Sequence, residues 1–239
     1  MPQINHSANL ILASLGTAEL NALAPYLKTI DLPQQKVLFD AGDEIDAIYF
    51  PRSGIVSLVV DLASGEMVET AMIGADGVVG AAVAISSKTA LSRAVVQLAG
   101  SASVLAVDRF CALANRNAAF RDTLMHHEQF LLAQAQQSAA CNANHTVEAR
   151  LARWLLRCRD LAGRNELELT QEYLAQMLAV RRTSVTVVAR TLQQAGLIQY
   201  RRGHIQLLDV EGLRDSACEC YETVRSRAEL LLGRPPPSV

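Results

Sequence analysis

The side chains best suited to chemistry in this chain of 239 residues cluster between positions 170 and 205. This segment contains five arginines and one acidic residue, Glu172, which gives it a net charge of +4. Apolar residues recur there at helical spacing and predict two short helices, 171–178 and 181–194, joined by a tight turn. Two such helices, the second polar and basic on one face, are typical of segments that read DNA.

The second predicted helix presents groups that can recognise bases. Arginine can hold a guanine through two hydrogen bonds, and threonine can contact a base edge or a thymine methyl group. We therefore expect Arg182, Thr183 and Thr186 to read base edges in the major groove. Hydroxyl groups and arginines beside them suit phosphate oxygens. The expected phosphate contacts are Thr170, Arg181, Ser184, Arg190, Arg201 and Arg202.

A β-hairpin is predicted directly after these helices, with Arg202 and Gly203 at its tip. Such a hairpin would form a wing that reaches DNA phosphates. An ordinary solvated pair of helices explains the helical pattern alone equally well. The arginine face, the wing and its basic tip together favour DNA binding over that alternative.

The formal net charge of the whole chain, −2, hides a division between its two parts. Residues 1–106 carry 5 basic and 10 acidic side chains, a net charge of −5. Residues 107–239 carry 17 basic and 14 acidic side chains, a net charge of +3. An acidic part joined to a basic one predicts two domains with different partners.

Turn signals separate short apolar, often β-branched runs throughout the first 106 residues, a pattern typical of a β-barrel or sandwich. We expect a small β-roll that follows a short helix over 18–24. The predicted strands cover 36–39, 47–50, 54–60, 67–73, 78–83, 93–98 and 101–107.

A long helix is predicted over 118–144, because this stretch contains neither proline nor glycine. At 27 residues it would measure about 40 Å, longer than a small β-roll could cover. It is either a core helix broken near 136–144 or a dimerisation helix paired with its copy, and we favour the dimer. Its predicted seam, spaced by threes and fours, consists of Phe120, Leu124, His127, Leu131 and Ala135, and the stripe also takes in Leu132 and Ala139.

A second helix is predicted over 146–161, between a Thr146 cap and a terminating Gly163. Its apolar stripe, which includes Trp154 and Cys158, is expected to be buried. Four arginines are expected to lie largely on its other faces: Arg150, Arg153, Arg157 and Arg159.

Several segments, in this order, make the chain resemble the cyclic-AMP receptor / fumarate-nitrate regulator (Crp/Fnr) family of bacterial transcription factors. In the first part they are Val-Leu-Phe-Asp-Ala-Gly-Asp at 37–43, Ile-Tyr-Phe at 48–50 and Gly-Ile-Val-Ser-Leu at 54–58. In the second part they are Leu-Thr-Gln-Glu-Tyr-Leu-Ala at 169–175, the segment 182–192, and Gly-Leu-Ile at 196–198.

The resemblance implies an α+β fold with three parts. These are a β-roll like that of cyclic-nucleotide-binding domains (a jelly roll) over 1–116, a dimerisation helix over 117–145, and a winged helix-turn-helix over 146–239. It implies a homodimer that binds double-stranded DNA at a pseudo-palindromic operator and responds to a signal in the β-roll, with RNA polymerase as a further candidate partner. Thr183 stands where many members have glutamate, and Val187 where some have a second arginine, so the operator half-site should differ from theirs.

The ligand pocket departs further from the family pattern. Members that bind cyclic nucleotides carry a Gly-Glu pair, and downstream an Arg-Ser/Thr-Ala segment that holds the phosphate. Here the corresponding residues are Gly80, Ala81 and Ala82, then Ser92, Arg93 and Ala94. The carboxylate is missing, and the arginine lies one residue late, which in a strand turns it to the opposite face. We expect a degenerate pocket that takes another small-molecule effector or none.

Other chemistries find little support. A cysteine cluster near the N-terminus is absent, since the first cysteine is Cys111, and His126 and His127 are expected to be solvated or seam residues rather than haem ligands. Cys218 and Cys220 chelate poorly if helical, because residues two apart point about 200° apart, and no nearby Cys or His is expected to complete a tetrahedral set. We predict no metal, no cofactor and no enzyme activity. The alternative function is a small-molecule-sensing or protein-interaction module without sequence-specific DNA binding.

The expected location is the cytoplasm. The longest apolar runs, 55–60 and 78–85, are too short to span a bilayer. Residues 1–6 lack the basic and apolar regions of a signal peptide. Five cysteines, an odd number, fit reduced thiols better than a disulfide framework.

Overall fold

The computed structural model describes residues 6–63 and 65–233, and the chain divides into two compact units. The first unit contains the residues up to 58 together with 72–131, and the second contains 59–71 and the residues from 132 onward. Residues 1–5, to which the signal-peptide argument refers, lie outside the described part. Within the described ranges, no helix is both long and apolar enough to cross a membrane.

The N-terminal half of the chain builds an antiparallel β-roll behind two short helices. These helices are α1 (Leu10–Ala13) and α2 (Thr17–Leu23). Strand β5 pairs antiparallel with β1 and β2, and the sheet order is β1-β5-β3-β4. The strands are β1 (Lys28–Leu32), β2 (Val37–Phe39), β3 (Ala47–Asp61), β4 (Met67–Ile73) and β5 (Arg93–Ala106).

Strands β3 and β5 run unbroken through two predicted turns, so those predictions are wrong. Gly54 has a φ of +78°, and a Cβ atom there would lie 2.5 Å from the Leu98 carbonyl oxygen. A Cβ atom on Gly100 would lie 2.2 Å from the Ser53 carbonyl oxygen. The two glycines therefore serve a close approach of the strands rather than a chain reversal.

Two further strand predictions need correction. The predicted strand over 78–83 makes only an isolated bridge between Val79 and Tyr49, and continues as a 3-10 helix, Ala81–Ala84. Its run of small apolar residues fits a buried loop as well as a strand, and Gly80, with a φ of +91°, turns the chain there. Strand β1, which alternates polar and apolar residues only weakly, was not predicted.

Helix α3 (Val107–Arg116) and the first turns of helix α4 (Ala118–Asn144) close the core of the first unit. Phe110 meets Phe50 edge-to-face at 6.1 Å and Phe120 at 5.8 Å between ring centroids. Helix α4 is continuous over all 27 residues, as predicted, so the alternative of a helix broken near 136–144 does not hold.

The apolar stripe of α4 packs within its own chain, which corrects the predicted dimer seam. Phe120 and Leu124 belong to the core of the first unit, and Leu131 packs against the core inside the roll. His127 is buried, and its Nε2 accepts a hydrogen bond from the Val78 N–H at 3.2 Å. Ala135 is half-buried. A helical stripe shows only that one face is covered, and for Phe120, Leu124, His127 and Leu131 the covering residues belong to the first unit of the same chain.

The second unit contains a three-helix core with a small sheet. Strands pair antiparallel in the order β6-β8-β7, and β6 was not predicted. The elements are α5 (Val147–Ala162), β6 (Glu166–Glu168), α6 (Gln171–Met177), α7 (Arg182–Gln194), β7 (Ile198–Arg201), β8 (His204–Leu207), α8 (Val210–Ser216) and α9 (Cys220–Leu232).

Helix α5 begins and ends where its caps predict, but its arginines do not lie on exposed faces. The Thr146 hydroxyl accepts from the Ala149 N–H, and Gly163 ends the helix with a φ of +65°. Arg150, Arg157 and Arg159 are all buried. Neighbouring elements cover several faces of α5. Arg159 donates to Asn165 Oδ1 at 2.8 Å, and Arg150 donates to the Leu178 carbonyl.

Candidate nucleic-acid interface

The turn between α6 and α7 is held from several directions. The Thr170 hydroxyl caps α6 by accepting from the Tyr173 N–H at 3.2 Å. Ala179 adopts a left-handed conformation, with a φ of +50°, which reverses the chain. Arg150 reaches from α5 and donates to the Leu178 carbonyl at the end of α6. This bonding fixes the orientation of α7 relative to α6 and α5.

Helix α7 buries one face and exposes the other. Val185, Ala189 and Leu192 are buried, because their spacing of three and four places them on the side that packs inward. The opposite face, as predicted, is exposed and carries Arg182, Thr183, Thr186 and Arg190, with Ser184 half-buried at its edge.

The N-terminus of α7 is suited to an anion. Arg181 occupies the cap position, and among the described side chains none accepts a hydrogen bond from the first N–H groups of this helix. Free N–H groups and the positive end of the helix dipole together attract phosphate. Arg181 itself is exposed beside them.

Two residues of α6 contact the exposed face of α7. The Thr186 hydroxyl donates to Gln171 Oε1 at 2.7 Å. Arg182 Nε lies 3.7 Å from Glu172 Oε2, with both side chains about two-thirds exposed, at 67% and 65%. Such an exposed pair contributes little free energy, so DNA can compete for Arg182 at small cost.

The predicted wing is formed by β7 and β8. Arg202 and Gly203 form its tip with φ angles of +47° and +85°, the geometry of a two-residue hairpin turn that needs glycine. Arg201 and Arg202 are exposed. Tyr200 ties the wing to both helices, since its hydroxyl accepts from the Gln171 N–H at 3.0 Å and its N–H donates to Gln193 Oε1 at 2.9 Å.

A cavity of about 390 Å³ brings several of these residues together: Thr170, Gln171, Glu172, Arg182 and Tyr200. The sequence prediction included Thr170 and Arg182 but gave no role to Gln171 or Tyr200, because neither follows a periodic or charged pattern. Behind this surface, burial raises the pKa of Tyr173, so its phenol stays neutral. Val187 adds an exposed apolar side chain to the face of α7.

The candidate ligand pocket of the β-roll has a different electrostatic character. Arg93 forms an ion pair with Asp40. A bulge in β5 could have turned Arg93 back to the face that the family pattern requires, but the register shift between β2 and β5 lies in β2, between Val37 and Phe39. Ser92 is half-buried, Ala81 and Ala94 are buried, and Ala82 is half-buried in the 3-10 helix that follows Gly80.

A cavity of about 360 Å³ in the same unit is lined by three acidic residues, Asp43, Glu44 and Asp46. With Arg93 paired to Asp40, the residues present do not fit a cyclic nucleotide held in the usual way.

A cluster of cysteine and histidine side chains corrects another expectation. Cys141 and His145, near the end of α4, meet Cys218 and Cys220, and one ligand atom from each lies within 4.8 Å of the others. The expectation that no Cys or His accompanies Cys218 and Cys220 is therefore wrong, because the partners lie more than 70 positions earlier in the chain. A hydrogen bond with Cys218 lowers the pKa of the Cys141 thiol.

Two domain families match the chain. Residues 29–117 match the cyclic nucleotide-binding domain, and residues 149–216 match the Crp-like helix-turn-helix domain. Together the two matches span about two thirds of the chain. A comparison with curated proteins finds no match.

Solved structures share the fold along most of the chain. FixK2 from Bradyrhizobium japonicum has a TM-score of 0.68 at 16% identity, covering 80% of this chain and 98% of its own. A putative transcriptional regulator of the Crp/Fnr family from Eubacterium rectale has a TM-score of 0.66 at 17% identity, covering 87% and 98%. The regulator CLP from Xanthomonas campestris, described as responsive to c-di-GMP, has a TM-score of 0.63 at 18% identity, covering 80% and 99%. With a β-roll, a winged helix-turn-helix and both domain matches in the family's order, the chain belongs to the Crp/Fnr family of transcription regulators.

Proposed function

We propose that the chain is a sequence-specific regulator that binds a pseudo-palindromic operator as a homodimer. The observation that carries this proposal is the exposed polar face of α7, on which Arg182, Thr183 and Thr186 lie opposite a buried apolar face. A helix held in this way can enter the major groove, with its first turns at the base edges. Arg182 would read guanine, and Thr183 and Thr186 would contact neighbouring base edges.

The phosphate contacts would surround this helix. Arg181 and Ser184 lie at its N-terminus, and Arg190 lies further along its exposed face. Thr170 lies at the start of α6, and its hydroxyl can donate to phosphate while it accepts the cap hydrogen bond. Arg201 and Arg202 would reach the backbone from the wing.

Dimerisation would use the uncovered face of α4 rather than the stripe packed on the roll. Met125 and Leu132 are 51% and 58% exposed, although both are large and apolar. They belong to an exposed series at alternating steps of four and three, the spacing of a two-helix coiled coil. The series is Ala118, Asp122, Met125, Gln129, Leu132, Gln136 and Ala139.

The domain roles follow from this assignment. Residues 1–116 would form the sensor, 117–145 the dimerisation helix and 146–239 the DNA-binding domain. The effector of the sensor would be a ligand other than a conventionally bound cyclic nucleotide, or none. RNA polymerase would be a second macromolecular partner once the dimer is on DNA.

Selection of DNA from a random duplex pool by the full chain tests this function. The proposal expects enrichment of two inverted half-sites centred one helical turn apart, about 10–10.5 base pairs. It also expects affinity for the selected duplex to fall steeply with salt. Equal affinity for selected and random duplexes would overturn it.

A further inference from the structure

The second unit contains a four-residue cluster that DNA recognition does not use. Cys141 lies in the last turn of α4 and His145 directly follows the helix; the His145 N–H donates to the Cys141 carbonyl, so both side chains lie on the same side of the chain. Cys218 and Cys220 approach from the start of α9. We propose that these four residues bind one Zn²⁺ ion in a tetrahedral Cys₃His site.

Two distances between ligand atoms match those around a single ion, and all four ligand atoms lie within 4.8 Å of one another. Zinc–sulfur bonds of about 2.3 Å and zinc–nitrogen bonds of about 2.0 Å give a tetrahedron with S···S edges of about 3.8 Å and S···N edges of about 3.6 Å. The Cys141 and Cys218 sulfurs are 3.5 Å apart, and Cys220 Sγ is 3.6 Å from His145 Nδ1. The four ligands of an iron–sulfur cluster are divided among two or more irons, so as a set they would be spread further apart.

Neighbouring groups already orient the ligands as a zinc site requires. His145 turns Nδ1 toward the sulfurs, while its Nε2 lies 3.1 Å from Glu219 Oε1. A carboxylate on the second ring nitrogen fixes the tautomer of a zinc-bound histidine and strengthens it as a ligand. Gln137 Nε2 donates to Cys220 Sγ at 3.0 Å, which would stabilise a thiolate there.

Burial and charge also favour a bound ion. All three cysteines are buried and His145 is half-buried, so the set is shielded from water but has one accessible edge. Zinc, three thiolates and a neutral imidazole carry a net charge of −1, and the three thiol protons pass to solvent on binding. Arg150 and Arg153 are close enough for their charges to act on Cys141, and would offset that charge.

The ion would join two parts of the second unit that are far apart in sequence. It would connect the end of α4 to the start of α9, beside the Thr146 cap from which α5 begins. Because ligands gathered only in the folded state add their binding free energy to folding, zinc would raise the stability of this unit.

Metal titration of the full chain tests the site. The chain is reduced with a phosphine, stripped with a chelator and titrated with Co²⁺. We expect one equivalent to bind with the visible ligand-field and thiolate charge-transfer bands of tetrahedral cobalt, and one equivalent of Zn²⁺ to abolish them. Cys141→Ser and Cys218→Ser should lose most of the uptake, whereas Cys111→Ser, which removes a cysteine outside the cluster, should retain it.

A cysteine variant could lose metal binding simply because it does not fold. Glu219→Gln avoids this ambiguity, because it keeps all four ligands. It should weaken metal affinity by about 10–100-fold without changing the cobalt spectrum. The proposal is overturned if the reduced chain takes up no Co²⁺, or if wild type, Cys141→Ser and Cys111→Ser take it up equally. The proposal is also overturned if the isolated chain contains a Cys141–Cys218 disulfide and still forms no cobalt site after that disulfide is reduced. None of these outcomes depends on DNA binding.

Discussion

The exposed face of α7 and the candidate pocket of the β-roll both contain arginine, but the arginines differ in how they are paired. On α7, Arg182 shares only a loose, exposed pair with Glu172, and the arginines around it stand in a basic surface. In the β-roll, Arg93 is paired with Asp40, and a cavity of the same unit contains three acidic residues in its lining. On our proposal, the arginine of α7 is available to DNA, whereas Arg93 is already paired within the chain.

The largest expected effect is the loss of operator affinity when the proposed dimer is separated into monomers. Leu132→Glu would place two carboxylates in the proposed seam, where like charges repel and an apolar contact is lost. We expect a monomer, and operator affinity reduced by about 100-fold or more because the two half-sites are no longer bound together. Sedimentation velocity and fluorescence anisotropy measure these quantities.

Leu91→Glu is the matched control, since Leu91 is 91% exposed and lies outside α4. It should remain dimeric with unchanged affinity. A dimeric Leu132→Glu variant would mean that the copies associate through another surface.

Removing Arg182, the proposed base-reading arginine, should have the next largest effect. Arg182→Ala should lower affinity for the selected operator by about 1–3 kcal/mol, roughly 5- to 150-fold. Arg116→Ala removes an exposed arginine from α3, outside the proposed interface, and should change affinity little. If the two variants lose the same affinity for the operator, as measured by fluorescence anisotropy, then Arg182 contributes only a nonspecific charge.

A wing arginine should produce a smaller and sequence-independent loss. Arg201→Ala should weaken binding to selected and random duplexes alike, because a phosphate contact carries no sequence information. The slope of log affinity against log salt should fall by about 1. An unchanged slope would show that the wing does not touch the backbone.

The smallest expected effect concerns the β-roll. Calorimetry of the full chain with cyclic AMP or cyclic GMP should give no saturable heat at micromolar concentrations. Arg93→Ala should lower the free energy of unfolding by no more than about 1 kcal/mol, because its pair with Asp40 is partly exposed. If the wild type binds a cyclic nucleotide at micromolar concentration and Arg93→Ala does not, then Arg93 does hold a nucleotide phosphate and the two regions do not differ as proposed.

Local chemistry explains which features could be predicted from sequence. The helix-turn-helix and wing depend on caps and turns within a few residues, such as Thr170, Gly163 and the Arg202-Gly203 tip, and these predictions agree with the structure. The exposed positions of Arg182 and Thr186 follow from helical periodicity alone.

Features that depend on tertiary packing could not be predicted. The stripe at Phe120 and Leu124 has the same spacing whether a partner or the chain's own β-roll covers it. Cys141 and Cys218 are 77 positions apart, so no local pattern pairs them. Gly54 and Gly100 resemble turn residues, but they are required by a close approach that exists only in the folded sheet.

Base reading by α7 through Arg182 can be tested by measuring the affinities of wild type and Arg182→Ala for operators carrying each of the four bases at every half-site position. We expect wild type to prefer guanine at one position by about 1–3 kcal/mol, and the variant to lose this preference there and nowhere else. An identical base preference in both proteins at every position would contradict it.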